Sequence, residues 1–280
     1  MRRGVIGLAA MALVLYGAIC LYMYVAQDSL VYPGGTSRIE PLPAPADAGL
    51  KDFQAVTVDT PDGEHLKAWW HPPEGGHGVV LYLQGNAQSI GAPWRVQRLR
   101  DIAEAGLGVL GLEYRGFGGS SGHPSEPGLI SDSEAGYDFV AREAPGSKIA
   151  VFGDSLGTAA AIALATQRPV AGLMLDSPFA SAEHLGSLRY PWLPVSLLMK
   201  DKWPSETRVK TVTAPILIAQ CDKDPVVPPA EAKHLFDVAV QANSEDKFFT
   251  LNNCGHVETW RFEPVKTAAL QSFREWTATP

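Results

Sequence analysis

Residues 148–166 constrain the fold more tightly than any other stretch of this chain. Lys148 to Phe152 is an apolar run of strand character. Gly153-Asp154-Ser155-Leu156-Gly157 follows, and Leu156 to Thr166 reads as a small-residue helix. A serine at such a strand-to-helix corner is held on a strained turn with its hydroxyl exposed. Gly153 and Gly157 lack side chains, so the helix starts close against neighbouring strands. The Leu156 amide then sits at a helix N-terminus, where free N–H groups and the dipole favour an anion. The same five residues also fit an ordinary glycine-rich turn with a capping serine, so the flanking elements carry the reading.

The surrounding pattern alternates strands and helices. Ala55 to Asp59 and Leu66 to Trp70, joined by Pro61-Asp62-Gly63, form an antiparallel opening hairpin. Apolar strands follow at 79–83, 108–112, 149–152, 171–175, 215–219 and 248–251. Helices fall at 94–105, 129–142, 156–166, 229–242 and 263–276. Continuous apolar strands alternating with helices predict an α/β fold: a mainly parallel eight-stranded sheet with helices on both faces. In such sheets ligands bind beyond the carboxyl ends of the strands. Residues 177–212 break the rhythm with Tyr190, Trp192, Trp203 and several prolines, and read as a short cap over those strand ends. Its aromatics are expected to be exposed, serving substrate, bilayer or plain packing.

The N-terminus is a separate matter. Arg2 and Arg3 precede a nearly uninterrupted apolar run from Gly4 to Ala26, long enough to cross a hydrocarbon core of ~30 Å. Arg2 and Arg3 place the N-terminus on the cytoplasmic side and the rest of the chain across the membrane, periplasmic or extracytoplasmic. A cleaved signal peptide is the rival reading. A cut after Ala26 would leave Tyr24 where a small residue is preferred, and Ile19 stands before Cys20 where a lipoprotein signal wants Gly or Ala. The expected organisation is a stub at 1–3, an anchor at 4–26, a Pro/Gly/Ala-rich linker at 27–50 and a domain at 51–280. A net charge of −7 with no basic patch argues against a nucleic-acid partner.

A serine hydroxyl needs a base within hydrogen-bond reach and a group that orients the base. Of seven histidines, His256 stands apart, in Asn252-Asn253-Cys254-Gly255-His256 just beyond a strand end. Asp224 and Asp222 compete as the orienting acid, with Asp176 a third candidate. Asp224 is favoured because Pro225-Val226-Val227-Pro228 makes a stiff turn that would fix its carboxylate. Two donors are required for transition-state charge: the Leu156 amide, and the Asn86 amide in Gln84-Gly85-Asn86-Ala87, where Gly85 permits close backbone approach. The order Ser, Asp, His is that of α/β-hydrolases.

The chain resembles the α/β-hydrolase superfamily, in the serine-hydrolase branch of N-terminally membrane-anchored domain proteins. The residues that carry the likeness are Gln84-Gly85-Asn86-Ala87, Glu113-Tyr114-Arg115-Gly116-Phe117-Gly118-Gly119, Gly153-Asp154-Ser155-Leu156-Gly157, Asp176-Ser177-Pro178-Phe179, Asp224-Pro225-Val226-Val227-Pro228 and Gly255-His256. The resemblance implies Ser155 as nucleophile, His256 as base, Asp224 as acid, and Asn86 and Leu156 as oxyanion donors. Three positions depart from the family pattern. Gln84 stands where His is usual, Glu113 where Asp is usual, and Asp154 sets a carboxylate beside the nucleophile, where it would disfavour anionic substrates.

In this fold the loops bearing Cys221 and Cys254 leave neighbouring strands, so the two sulfurs are expected within disulfide range; two buried thiols are the alternative. No metal-ligand pattern or phosphate-cradling loop is present in the sequence, and no metal or cofactor is implied. The expected activity is hydrolysis of carboxylic esters, thioesters or lipids through an acyl-enzyme. A peptidase or amidase, or a non-catalytic binding protein with the same fold, is the alternative.

Overall fold

Strands β3 (Val79–Leu83) and β5 (Ile149–Asp154) are buried at every position, because both of their faces are covered. Val79, Leu81 and Leu83 enter one core and Val80 and Tyr82 the other, as the period-two geometry of a strand requires. The computed structural model describes residues 2–36, 41–75, 77–239 and 246–278. The remaining strands are β1 (Gln54–Asp59), β2 (His65–His71), β4 (Gly108–Leu112), β6 (Leu173–Asp176), β7 (Ile216–Cys221) and β8 (Lys247–Leu251). They form one eight-stranded sheet in the order β1-β2-β4-β3-β5-β6-β7-β8. β1 pairs antiparallel with β2, and β2 with β4; every other pairing is parallel.

The helices are α1 (Arg2–Val31), α2 (Pro33–Thr36), α3 (Pro93–Glu104), α4 (Glu126–Glu143), α5 (Leu156–Ala165), α6 (Ala182–Arg189), α7 (Val195–Leu198), α8 (Ser205–Arg208), α9 (Pro229–Ala239) and α10 (Glu263–Thr277). α3 and α10 cover one face of the sheet through Leu99, Ile102, Val265 and Phe273. α4, α5 and α9 cover the other through Leu129, Phe139, Ile162 and Leu235. α4 begins three residues before the expected Leu129. Pro127 suits a first turn, and the Ser125 hydroxyl accepts from the Gly128 amide. The expected helix end at 242 and linker residues 37–40 lie outside the described residues.

α1 is long and apolar enough to cross a membrane, and no residue of its most apolar stretch is buried. It runs past the expected end at Ala26 to Val31, and its last turns dock on the segment 177–212. Gln27 Nε2 donates to the Leu198 carbonyl at 3.1 Å and its Oε1 accepts from the Lys200 amide at 2.8 Å. Tyr32 is fully buried; its hydroxyl donates to Asp201 at 2.6 Å and accepts from Trp203 Nε1 at 3.1 Å. The start of the expected linker is therefore packed structure. The reading of Trp203 as an exposed cap aromatic is also corrected, since it is wholly buried against Tyr32. Trp192 remains exposed.

Candidate active site

β5 delivers Ser155 to the sheet's carboxyl rim with φ 51° and ψ −118°, a conformation that costs a non-glycine residue on the order of 1–3 kcal/mol. The neighbouring glycines make this corner possible. A methyl at Gly157 would stand 2.0 Å from the Leu83 carbonyl oxygen, and one at Gly153 would stand 2.4 Å from that of Gly157. The Ser155 amide donates to the Asp176 carbonyl at 2.8 Å, and its own carbonyl accepts from the Thr158 hydroxyl at 2.6 Å. Backbone and helix start are thus pinned while the hydroxyl faces the cleft.

His256 bridges two groups that are distant in sequence. Its Nε2 lies 2.8 Å from Ser155 Oγ and its Nδ1 lies 2.7 Å from Asp224 Oδ2. The other carboxylate oxygen of Asp224 accepts from the amides of Val226 and Val227 at 2.8 and 2.9 Å. Gln220 Nε2 adds a 3.2 Å contact to Oδ2. Burial pushes this carboxyl up. The hydrogen bond and charge of His256, with the two amides, outweigh burial and hold it below its ordinary value. The turn at Pro225 is what aims both amides at Oδ1. An imidazole so placed is able to take a hydroxyl proton while the carboxylate stabilises the cation that forms.

The competing acids lie elsewhere. Asp222 is exposed, and its amide donates to the Leu251 carbonyl at 2.8 Å. Asp176 is buried and accepts from Arg98 Nη2 at 2.5 Å. The loops bearing Asp224 and His256 are joined by a Cys221–Cys254 disulfide with Cα atoms 5.2 Å apart. The Lys223 amide also donates to the Cys254 carbonyl at 3.2 Å.

Leu156 is the first residue of α5, so its amide belongs to the turn without intrahelical partners. Gly85 packs against Ser155; a methyl there would sit 3.2 Å from the Ser155 Cβ. That contact sets Asn86 beside the serine, and both line the same cleft. The N-terminal segment clamps Asn86 from outside. Asn86 Nδ2 donates to the Val31 carbonyl at 2.9 Å, and the Gly34 amide donates to the Asn86 carbonyl at 2.9 Å.

Under the site lies a buried charge network that sequence reasoning missed. Asp154 and Asp176 are register partners on adjacent strands, and two arginines of α3 compensate them. Arg95 Nε lies 3.3 Å from Asp154; Arg98 reaches Asp176 and, at 3.6 Å, Asp154. Burial pushes the Asp176 carboxyl up, and Arg98 opposes that. Arg98 Nη2 also donates to the Val257 carbonyl at 2.7 Å, fixing the residue after His256. The expectation that Asp154 repels anionic substrates is corrected: the carboxylate is fully buried and matched by Arg95 and Arg98. The missed signal was a pair of strand-end acids in otherwise apolar strands, which demand buried cations.

Two chambers meet at Ser155. One, of about 710 Å³, is lined by polar and charged groups including Gln97, Asp101, Glu258, Arg261 and Lys266, beside Trp94 and Trp260. The other, of about 430 Å³, is largely apolar and lies between the cap and the end of α1.

The comparisons with known proteins bear on the fold and the family. A family model described as serine aminopeptidase, S33, matches residues 76–205. An uncharacterized protein of Mycobacterium tuberculosis is 36% identical over 252 residues, covering 89% of this chain and 86% of that one. The lysophosphatidylserine lipase ABHD12 of Danio rerio is 29% identical over 240 residues, covering 72% of this chain and 63% of its own. The esterase Pf2001 of Pyrococcus furiosus, 19% identical, matches with a TM-score of 0.73 over 86% of this chain and 99% of that one. By sheet order, by the serine corner and by these relatives, the chain belongs to the α/β-hydrolase superfamily.

Proposed function

We propose that this protein is a membrane-tethered serine hydrolase that cleaves carboxylic esters or thioesters through an acyl-enzyme. One observation carries the reading: His256 lies within hydrogen-bond distance of both Ser155 Oγ and Asp224. Ser155 attacks the acyl carbon while His256 takes its proton. Asp224 steadies the imidazolium, and the Asn86 and Leu156 amides hold the oxyanion. His256 returns the proton to the leaving group. Water, activated by the same imidazole, then attacks the acyl-serine and regenerates the hydroxyl. The lipase and esterase names of the relatives support an ester or lipid substrate.

Arg2 and Arg3 before the apolar stretch of α1 support a cytoplasmic N-terminus with the catalytic domain across the membrane. The Cys221–Cys254 bridge fits an oxidising compartment. A peptidase reading is favoured by the description of the matched family model alone. The apolar chamber beside Ser155 favours acyl chains over peptides.

A short alkyl fluorophosphonate tests the reading. The expected result is one adduct, mapped to Ser155 and absent from Ser155→Ala. Full resistance of the wild-type chain would favour a non-catalytic binding protein instead. Comparing aminoacyl anilides with aryl esters separates the peptidase from the esterase.

A further inference from the structure

The apolar chamber at Ser155 has an unusual wall. Met23, Gln27, Leu30 and Val31 of α1 line it, opposite Leu185, Leu193, Leu198 and Val227. These α1 positions follow helical spacing, so they share one face. The helix that is long and apolar enough to span a bilayer is thus also a side of the pocket.

The depth of the cap follows from helix geometry. Tyr16 donates to the Trp192 carbonyl at 2.9 Å, which sets the cap alongside the middle of α1. Residues 2–15 alone would span only about 21 Å at ~1.5 Å per residue, less than a hydrocarbon core of about 30 Å. A bilayer crossed by α1 therefore extends past Tyr16 and surrounds the outer cap. The cap's exposed residues suit that position: Leu188, Trp192 and Leu197, the last 83% exposed. On water such side chains would be a cost; in a leaflet they are matched.

We infer that the acyl chain of a membrane lipid reaches Ser155 sideways out of the leaflet, along α1, and lies in the chamber between α1 and the cap. This rests on the serine-hydrolase reading above and names its substrate class: a lipid with its acyl chain in the α1 chamber and its polar head in the chamber bearing Gln97, Glu258 and Arg261. A chamber of about 430 Å³ is within the range of ligand sites, and its lining is mostly apolar, with Gln27, Asn86, Arg189 and Tyr190 as its polar side chains besides Ser155.

The test uses the full chain in phosphatidylcholine vesicles and a hexadecyl fluorophosphonate carrying a diazirine near the chain end. Ser155 Oγ forms a bond to phosphorus, fluoride leaves with the P–F electron pair, and the hydroxyl proton passes to His256. Light then links the chain end to what surrounds it. The expected result is an adduct on Ser155 with most crosslinks in the fragments holding Met23 to Val31 or Leu185 to Met199. An adduct on Ser155 with crosslinks concentrated near Trp94 or Trp260 would overturn the inference and leave the hydrolase reading standing. Absence of any Ser155 adduct would overturn both. A second probe, phosphatidylcholine with a mid-chain diazirine in the same vesicles, is expected to label the segment from Leu188 to Leu198; no labelling there would rule out access from the leaflet.

Discussion

Gln84 Nε2 donates to Glu113 Oε2 at 2.5 Å, so the two departures from the family pattern beside the serine corner are one buried pair. The other oxygen of Glu113 accepts from the Ile90 amide at 2.7 Å, and Gln84 Oε1 accepts from Arg95 at 3.3 Å. The pair thereby ties the loop carrying Gly85 and Asn86 to the end of β4 and to α3. Burial pushes the Glu113 carboxyl up to about 7, against the hydrogen bonds of Ile90 and Gln84.

That shift gives a pH dependence with a definite sign. Between about 4.5 and about 7 the native state keeps a proton that the unfolded chain has released. Stability from this group is therefore complete below that window and is lost as pH rises through it, by on the order of 3 kcal/mol. Glu113→Gln cannot titrate. The gap in melting temperature between wild type and Glu113→Gln, followed from pH 5 to 8 in one detergent, is expected to move against the wild type as pH rises. A constant gap would contradict the assignment.

Asp224→Asn should leave the fold intact and lower kcat on an aryl ester by on the order of 10⁴, because the imidazole loses the acceptor that fixes its tautomer. Asp222→Asn should change kcat less than about twofold, since Asp222 is exposed and the two ring nitrogens of His256 face Asp224 and Ser155 instead. Steady-state kinetics of the two variants side by side decides between the candidate acids.

Arg98→Met should cost more than a surface charge would. It strands Asp176 and weakens the compensation of Asp154, and breaking such a buried pair typically costs about 3–5 kcal/mol. It also frees the Val257 carbonyl, so the remaining folded enzyme should show a lower kcat. Denaturant titration and single-point kinetics in detergent measure both effects.

The Cys221–Cys254 bridge closes a loop with a sequence separation of 33, for which about 2–4 kcal/mol is typical. Replacing both cysteines with serine should lower the melting temperature and, by loosening the loops of Asp224 and His256, lower kcat. Thiol titration of unreduced, denatured protein should find Cys20 alone.

Removal of residues 1–36 should impair turnover more than removal of 1–26. The longer deletion takes away the Val31 carbonyl and the Gly34 amide that hold Asn86, and the buried Tyr32. Kinetics on a short aryl ester in detergent compares the two forms without requiring a bilayer.

The strands, the serine corner and the positions of Asp224 and His256 were legible because each is written in a few adjacent residues: apolar runs, paired glycines, a proline turn. The charge network was not. Arg95 and Arg98 sit three apart on a helix, which reads as a solvated face. Their partners lie 59 and 78 residues away and meet them only when β5, β6 and α3 have assembled. The role of α1 was hidden for a similar reason. Apolar residues suit lipid and pocket alike, and only the docking of Gln27 and Tyr32 on the cap shows which side of the helix faces the protein.

The measurement closest to the central claim is kcat on a short-chain aryl ester for the wild-type chain and for Ser155→Ala, both as full chains in the same detergent and both shown to be folded. The expected result is a fall on the order of 10⁶ in the variant. Retention of more than about a tenth of the wild-type rate would remove Ser155 as nucleophile, and with it the chemistry assigned to His256 and Asp224.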